Sequence, residues 1–484
     1  MTNRLRRSER CSLPRIAESE ELVVIWEKFV DYDKIDFHPL PRKQGSRGKF
    51  AYAREIAAFD IETSRLPELD QSFMYTWQFA IDTRLVIMGR TWAEFLHMLE
   101  ELRGRLKGLR LLIFVHNLNY EGTFISSPQI YRFENKEVFA VDAHKILRMQ
   151  MFKGSFELRC SYLLTNLSLD SLTRRFNCQY RKRSGEAFDY DKLRLPSTPL
   201  TRRELLYCAY DVLGLTEAIR GLLALNGDDL YSLPYTQTGF VRREAKKLMR
   251  PYHWKIQDCY PNKELFLTLR NAFRGGNTHG NRYFVGEVVP NVHGIDISSS
   301  YPAQQVLERY PVEPFKRAGS LSCNRSFLDK MRERGYCVVF EARFKNIRLR
   351  YEYEPIPYIP RAKCLDQWKG CKEHFVMDNG RVLRAGDKER PLYLTIALTE
   401  IDFAIVENQY EWDDMEILKM WTAASGPMYE GLRKLNIDLF REKCKLKNIP
   451  EMKIYYDRAK ELLNAIYGMS CQNPLQPPIL FFRS

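Results

Sequence analysis

The sequence predicts an α/β domain followed by an α+β region, and three observations carry that reading. Two apolar runs end in acidic residues, "EIAAFDIETS" and "GLRLLIFVHNLNYEG", as buried strands do when they meet a site edge; the helix-like "TRRELLYCAYDVLGLTEAIRGLLAL" follows. Downstream, the basic helical stretch "TGFVRREAKKLMR" gives way to strand-like "NVHGIDISSSYP" and "YCVVFEARF". Near the end, "LRKLNIDLFREKCKLKNIPEMKIYYDRAKELLNAIYG" reads as two helices broken at Pro450. At 484 residues the chain is too long for one ordinary core. The expected division is a basic extension over 1–50, an α/β domain over 51–225 and an α+β region over 226–484, with Asn226-Gly227-Asp228-Asp229 and Pro234 at the boundary.

Composition narrows the function class. Hydrophobic residues make up 45% and charged residues 28%, which argues against a disordered or fibrous chain. Lys and Arg number 75 against 61 Asp and Glu, a formal charge of +14 that favours polyanions, nucleic acid first. Charge alone fits a dispersed basic surface equally well. Arg433, Lys434, Arg441, Lys443, Lys445, Lys447, Lys453, Arg458 and Lys460 cluster in the last region and point towards nucleic acid, with a solvated helix face as the alternative. Eleven cysteines without a CxxC pair suit reduced thiols in a cytoplasmic location. Cys364, Cys371 and His374 lack a fourth ligand at zinc spacing and read as ordinary residues. No apolar leader or spanning run occurs, so no membrane partner is expected.

The α/β domain carries the first chemical constellation. Asp60 and Glu62 are two residues apart, so on a strand both carboxylates leave one face and suit a divalent cation. Glu121 follows the second strand-like run, while Tyr207 and Asp211 share a helical face at i, i+4. Taken singly, Asp60 fits a strand-end turn, Glu121 a surface acid and Tyr207 a core aromatic. Together, four carboxylates and a phenol are what two-metal phosphodiester hydrolysis requires.

In order, "FDIETS", "HNLNYEGTFI" and "YCAYD" resemble the three exonuclease motifs of proofreading family B DNA polymerases, especially the protein-primed branch of phages and linear plasmids. The resemblance implies a ribonuclease-H-like 3′–5′ exonuclease domain with Asp60, Glu62, Glu121 and Asp211 as metal ligands and Tyr207 positioning water. It also implies that Asn117 and Leu118 touch the single-stranded 3′ end. Glu121 stands where the family commonly has Asp, one methylene shorter, and a shift of about 1 Å in such a group costs roughly a hundredfold in rate. "CSYLLTNLSLDSLTRRF" resembles the family stretch that meets the DNA strand and primer protein, with Ser171 and Leu172 as the matching pair. Lys182 matches a lysine used near the scissile phosphate.

A second constellation resembles the polymerase palm and fingers. "GIDISSSYP" is similar to motif A, which would make Asp296 a ligand of both catalytic metals and set Ser299 and Ser300 near the triphosphate. Tyr301 would lie beneath the sugar and exclude a ribose 2′-OH. "FRGG" is similar to a Tyr-x-Gly-Gly element, with Phe273 in place of Tyr and Gly275 and Gly276 beside the template. "KELLNAIYG" resembles motif B, in which Lys460 grips the incoming triphosphate, Asn464 and Tyr467 line the base pair, and Gly468 admits the duplex.

No Tyr-x-Asp-Thr-Asp motif follows Gly468. The resemblance therefore implies a palm and fingers incomplete at the C-terminus, truncated after motif B, with "PPILFF" a strand lacking its partners. The expected activity is protein-primed DNA polymerisation with 3′–5′ proofreading, using Mg²⁺ or Mn²⁺ with two ions per active site. Expected partners are single-stranded 3′ ends, primer-template DNA, dNTPs, a primer terminal protein and a completing C-terminal polypeptide. A stand-alone 3′–5′ exonuclease and an inactive DNA-binding fragment are the alternatives.

Overall fold

Alternating apolar segments assemble first into a mixed eight-stranded sheet. The computed structural model describes residues 23–42, 50–125, 137–142, 144–181, 189, 192–278, 280–351, 353–365 and 393–470. Lys182, Cys371, His374 and the "PPILFF" strand lie outside the described residues. The chain divides into two units, 1–243 with 441–484, and 244–440.

The sheet of the first unit is built from β1 (Val23–Trp26), β2 (Tyr52–Leu66), β3 (Gln71–Ile81), β4 (Leu85–Gly89), β5 (Arg110–Val115), β6 (Val138–Ala140), β7 (Ile146–Met151) and β8 (Phe156–Cys160). Their order is β1-β4-β3-β2-β5-β8-β7-β6, with β2, β5 and β8 parallel at the centre. β5, at the middle of the sheet, is buried along its whole length, as a strand between layers must be. Helix α1 (Trp92–Leu106) starts at a capping box, Thr91 with Glu94, and packs Phe95 against Phe59 and Trp77. Helices α2 (Leu118–Ile125), α3 (Ser161–Thr165) and α4 (Leu169–Arg175) follow β5 and β8. The long α5 (Arg202–Asn226) covers the sequence-predicted segment, capped by Thr201 with Glu204 and stopped by Gly227 in the left-handed conformation.

One charged cluster is sealed into this core. Glu157 on β8 accepts from Arg110 Nη1 and Arg159 Nε, each at 2.7 Å, and from the Tyr52 hydroxyl at 3.1 Å. Burial pushes its carboxyl up, but Arg159 and Arg110 outweigh that and hold it below the usual carboxylate range.

The first fifty residues hold more than a basic extension. β1 pairs with β4, and Glu27 accepts from Tyr32 while lying 2.6 Å from His97 Nδ1 on α1. Arg105 reaches back to Asp33 and Asp36. Residues 23–36 thus pack on the sheet edge, through contacts that sequence periodicity does not register.

Helix α6 (Gln237–Met249) spans the division between the units. The second unit continues with α7 (His253–Asp258), α8 (Lys263–Ala272), α9 (Ser300–Leu307), β9 (Arg309–Pro311), β10 (Lys316–Arg317), α10 (Arg325–Glu333), β11 (Cys337–Lys345) and β12 (Arg348–Leu349). After them come β13 (Tyr393–Thr399), α11 (Glu400–Gln409), β14 (Tyr410–Glu411), β15 (Asp414–Ala423) and β16 (Ser425–Pro427). An antiparallel sheet ordered β10-β15-β11-β13 carries a core of Phe340, Phe344, Leu398 and Phe403. The chain then forms α12 (Glu430–Leu446), breaks at Pro450 and ends its described part in α13 (Lys453–Ser470). Among the described residues no helix is long and apolar enough to cross a membrane.

Candidate metal centre

The acids of the first constellation meet where the parallel part of the sheet ends. β2 stays paired with β5 as far as Ala58 opposite Phe114, then runs on beside β3 alone. Asp60 and Glu62 therefore lie within a long strand instead of at its end, but just past the carboxyl edge of the parallel core, where crevices form in such sheets. Between them Ile61 turns into the core, so both carboxylates share the opposite face.

Asp211 arrives from α5. One ligand oxygen each from Asp60, Glu62 and Asp211 lies within 4.8 Å of the others. Three carboxylates at that spacing repel strongly unless a cation or protons intervene, which is the chemistry of a divalent cation site. Tyr207 lies one turn before Asp211 and is buried.

Glu121 sits in the first turn of α2, immediately after β5, where the helix dipole favours a negative group. It engages Asp60 without joining the group of three, and its Oε2 is buried with no hydrogen-bond partner. Burial first, then the charge of Asp60, pushes its carboxyl well above the usual range. An orphaned buried oxygen beside three converging carboxylates fits a cation supplied from outside the chain.

The remaining sequence-predicted positions divide by exposure. Asn117 and Ser171 are exposed, whereas Leu118 and Leu172 are fully buried and their side chains pack in the core instead of facing a strand. Lys460, Asn464 and Gly468 lie on the exposed side of α13 with Tyr467 half-buried beside them; Ala459, Leu462, Leu463 and Ile466 form its buried side.

Asp296 departs most from expectation. Residues 290–298 form no strand, and Ile295 and Ile297 are 94% and 72% exposed. An apolar alternation becomes a strand only when a neighbour satisfies its backbone, and no described residue does so here. Ser299 follows in the left-handed conformation (φ 53°), and Ser300 and Tyr301 open α9. A Cβ on Gly276 would lie 3.0 Å from the Tyr301 hydroxyl, so the glycine turn and the start of α9 do come together. Among the described residues no second group of three acidic, His or Cys ligands converges.

Comparison with solved structures shows the fold. Phi29 DNA polymerase bound to primer-template DNA superposes with a TM-score of 0.62 at 17% identity, covering 87% of this chain and 68% of the polymerase. The chain shares the fold of Phi29 DNA polymerase. The same polymerase bound to single-stranded DNA gives 0.62 at 16% identity, again over 87% and 68%; its ternary complex with primer-template and incoming nucleotides gives 0.57 at 17% identity, over 86% and 68%. No protein-family model and no curated protein matches the chain.

Two side chains at the site were not singled out from the sequence. Gln78 on β3 faces Asp60 across the hairpin, is fully buried, and donates from Nε2 to Asp60 Oδ2 at 2.9 Å. Cys208 is buried beside Glu62, Sγ to Oε1 3.9 Å, and burial, then Glu62, Asp211 and Asp60, pushes its thiol up so that it stays neutral. The Gln78 pairing depends on hairpin register, which a bulge after Glu62 shifts. Cys208 needed only its place between Tyr207 and Asp211.

Proposed function

We propose that the chain is a DNA polymerase polypeptide of the protein-primed family B type, with a ribonuclease-H-like 3′–5′ exonuclease domain over 51–225 and palm and fingers elements over 226–484. The supporting observation is the convergence of Asp60, Glu62 and Asp211 in a chain that shares the fold of Phi29 DNA polymerase. Two Mg²⁺ or Mn²⁺ ions would polarise the scissile phosphodiester and lower the pKa of the attacking water.

The chain's own residues supply the rest. Asp60, Glu62 and Asp211 hold the ions, with Glu121 completing the set. Gln78 fixes the Asp60 carboxylate. Tyr207 orients water from the turn before Asp211. Exposed Asn117 and Ser171 meet the 3′ strand, and Leu118 and Leu172 anchor the backbone beneath them. In the polymerase elements Asp296 contributes a metal ligand, Ser299, Ser300 and Tyr301 hold triphosphate and sugar, and Lys460, Asn464 and Tyr467 receive the incoming dNTP. Gly275, Gly276 and Gly468 let DNA approach the backbone closely. A terminal protein is the primer in this reading.

The test is purified chain incubated with a 3′-labelled single-stranded oligonucleotide and Mg²⁺. Stepwise loss of label, abolished by Asp60→Ala with Glu62→Ala, is expected; a wild-type chain that leaves the label intact refutes the nuclease. The unpaired, exposed segment around Asp296 favours a second reading, a chain that only trims 3′ ends. Degradation without dNTP incorporation on a primed template would select it.

A further inference from the structure

The outward stripe of α13 is aimed by what grips the flank beside it and the buried side behind it. Glu461 follows Lys460 directly, and its Oε1 lies 2.5 Å from Arg175 Nη1 at the end of α4. Their side chains are 32% and 13% exposed, and Arg175 Nε is buried without a hydrogen-bond partner. One turn before Glu461, Arg458 Nε donates to Asn226 Oδ1 at the end of α5 at 2.9 Å. Between these polar ties Leu462 faces a cleft lined by Leu172, Phe176, Leu222 and Phe240. The partners are 286 and 232 residues apart in sequence, so no local propensity produces the arrangement.

Exposed ion pairs contribute little, but this one is largely withdrawn from water, and removing Glu461 would strand a buried guanidinium. A helix held at its flank and along its buried side has the direction of its remaining side fixed too, because successive residues are set about 100° apart. Releasing the grip would let α13 roll or tilt, and Lys460, Asn464 and Tyr467 would lose their common aim.

We infer that Arg175 and Glu461 are positioning residues for nucleotide capture, their pair, backed by Arg458 and Asn226, holding the Lys460, Asn464 and Tyr467 stripe of α13 in register. This rests on the reading of that stripe as the nucleotide-receiving face. It assigns to the end of α4 a part in synthesis.

The experiment uses the full chain and a fluorescent deoxynucleoside triphosphate with Mg²⁺. Arg175→Glu and Glu461→Arg should each weaken nucleotide affinity about tenfold, as loss of a partly buried charge pair does, and should speed amide exchange across 453–470. The double variant, with the pair reversed, should return to within about threefold of wild type. Oligonucleotide degradation should stay within about twofold in all three, which separates lost aim from unfolding. Glu461→Gln keeps the shape and should show a smaller loss in the same direction. Wild-type affinity in every variant, or a reversed pair that fails to rescue, overturns the inference alone. A wild-type chain that binds no nucleotide overturns the reading of α13 first, and the inference with it.

Discussion

Replacing Asp60 by asparagine tests the acidic site without reshaping it. Ligand oxygens of Asp60, Glu62 and Asp211 lie within 4.8 Å of one another. At that separation two unit charges repel by about 3 kcal/mol at an effective dielectric constant near 20. Asp60 faces two such neighbours, but Asp60 and Glu62 are only partly buried, and solvent screening removes most of that repulsion. The net relief in Asp60→Asn should be about 1–2 kcal/mol, and the amide oxygen still accepts from Gln78. For a domain of this size that corresponds to a rise of roughly 2–8 °C in Tm. Scanning calorimetry in chelator should show the rise. Excess Mg²⁺ should then reverse the ranking, since ion held at about a hundred times its Kd stabilises the wild type by about 2.7 kcal/mol and the variant far less. A variant that melts below wild type in chelator, or that gains as much from Mg²⁺, would refute the argument that these carboxylates share a cation.

Gln78→Leu removes the donor to Asp60 Oδ2 and should slow oligonucleotide degradation about ten- to a hundredfold without altering the circular dichroism spectrum. An unchanged rate would show that Asp60 needs no such anchor. Gly214→Val places a Cβ 2.2 Å from the Tyr180 carbonyl oxygen and 2.9 Å from Thr173 Cγ2, so denaturant unfolding should show a loss of about 2–3 kcal/mol. His97 is held above its usual range chiefly by its hydrogen bond to Glu27. Its contribution is therefore complete below about pH 6.5 and disappears as pH rises through the higher folded value. The protection of amides over 23–36, corrected for the intrinsic rise of exchange with pH, should fall across that window, and His97→Gln should abolish that fall.

What the sequence discloses and what it conceals follow from the range of the interactions. The long helix at 202–226 is legible because its cap, its apolar face and its closing glycine are all local. The same holds for the break at Pro450 and for the outward spacing of Lys460 and Asn464. Asp60 and Glu62 are legible as a pair because strand alternation alone puts them on one face. Concealed are the features that depend on register or on distant partners. Gln78 meets Asp60 only through a bulged hairpin, the 23–36 segment packs through Glu27 and Arg105, and Arg175 finds Glu461 across most of the chain. Leu118 and Leu172 carry the right identity for a motif, yet their burial is set by the layers around them.

The two constellations differ in how much scaffold supports them, and that difference orders the chemistry. Asp60 and Glu62 lie on a strand paired with β3, Asp211 lies on a helix stopped at both ends, and Gln78 pins one carboxylate from the paired strand. Acids held by such a scaffold should need little reorganisation to take up a cation. Asp296 lies between two isoleucines that remain largely in water, in a segment without ladder hydrogen bonds. Any ion held there must also supply the ordering of the backbone around it, a cost of about 1–2 kcal/mol for each residue fixed. The same cation should therefore fill the site on β2 and α5 at lower concentration than the one at Asp296, and cleavage should set in before synthesis as Mg²⁺ is raised.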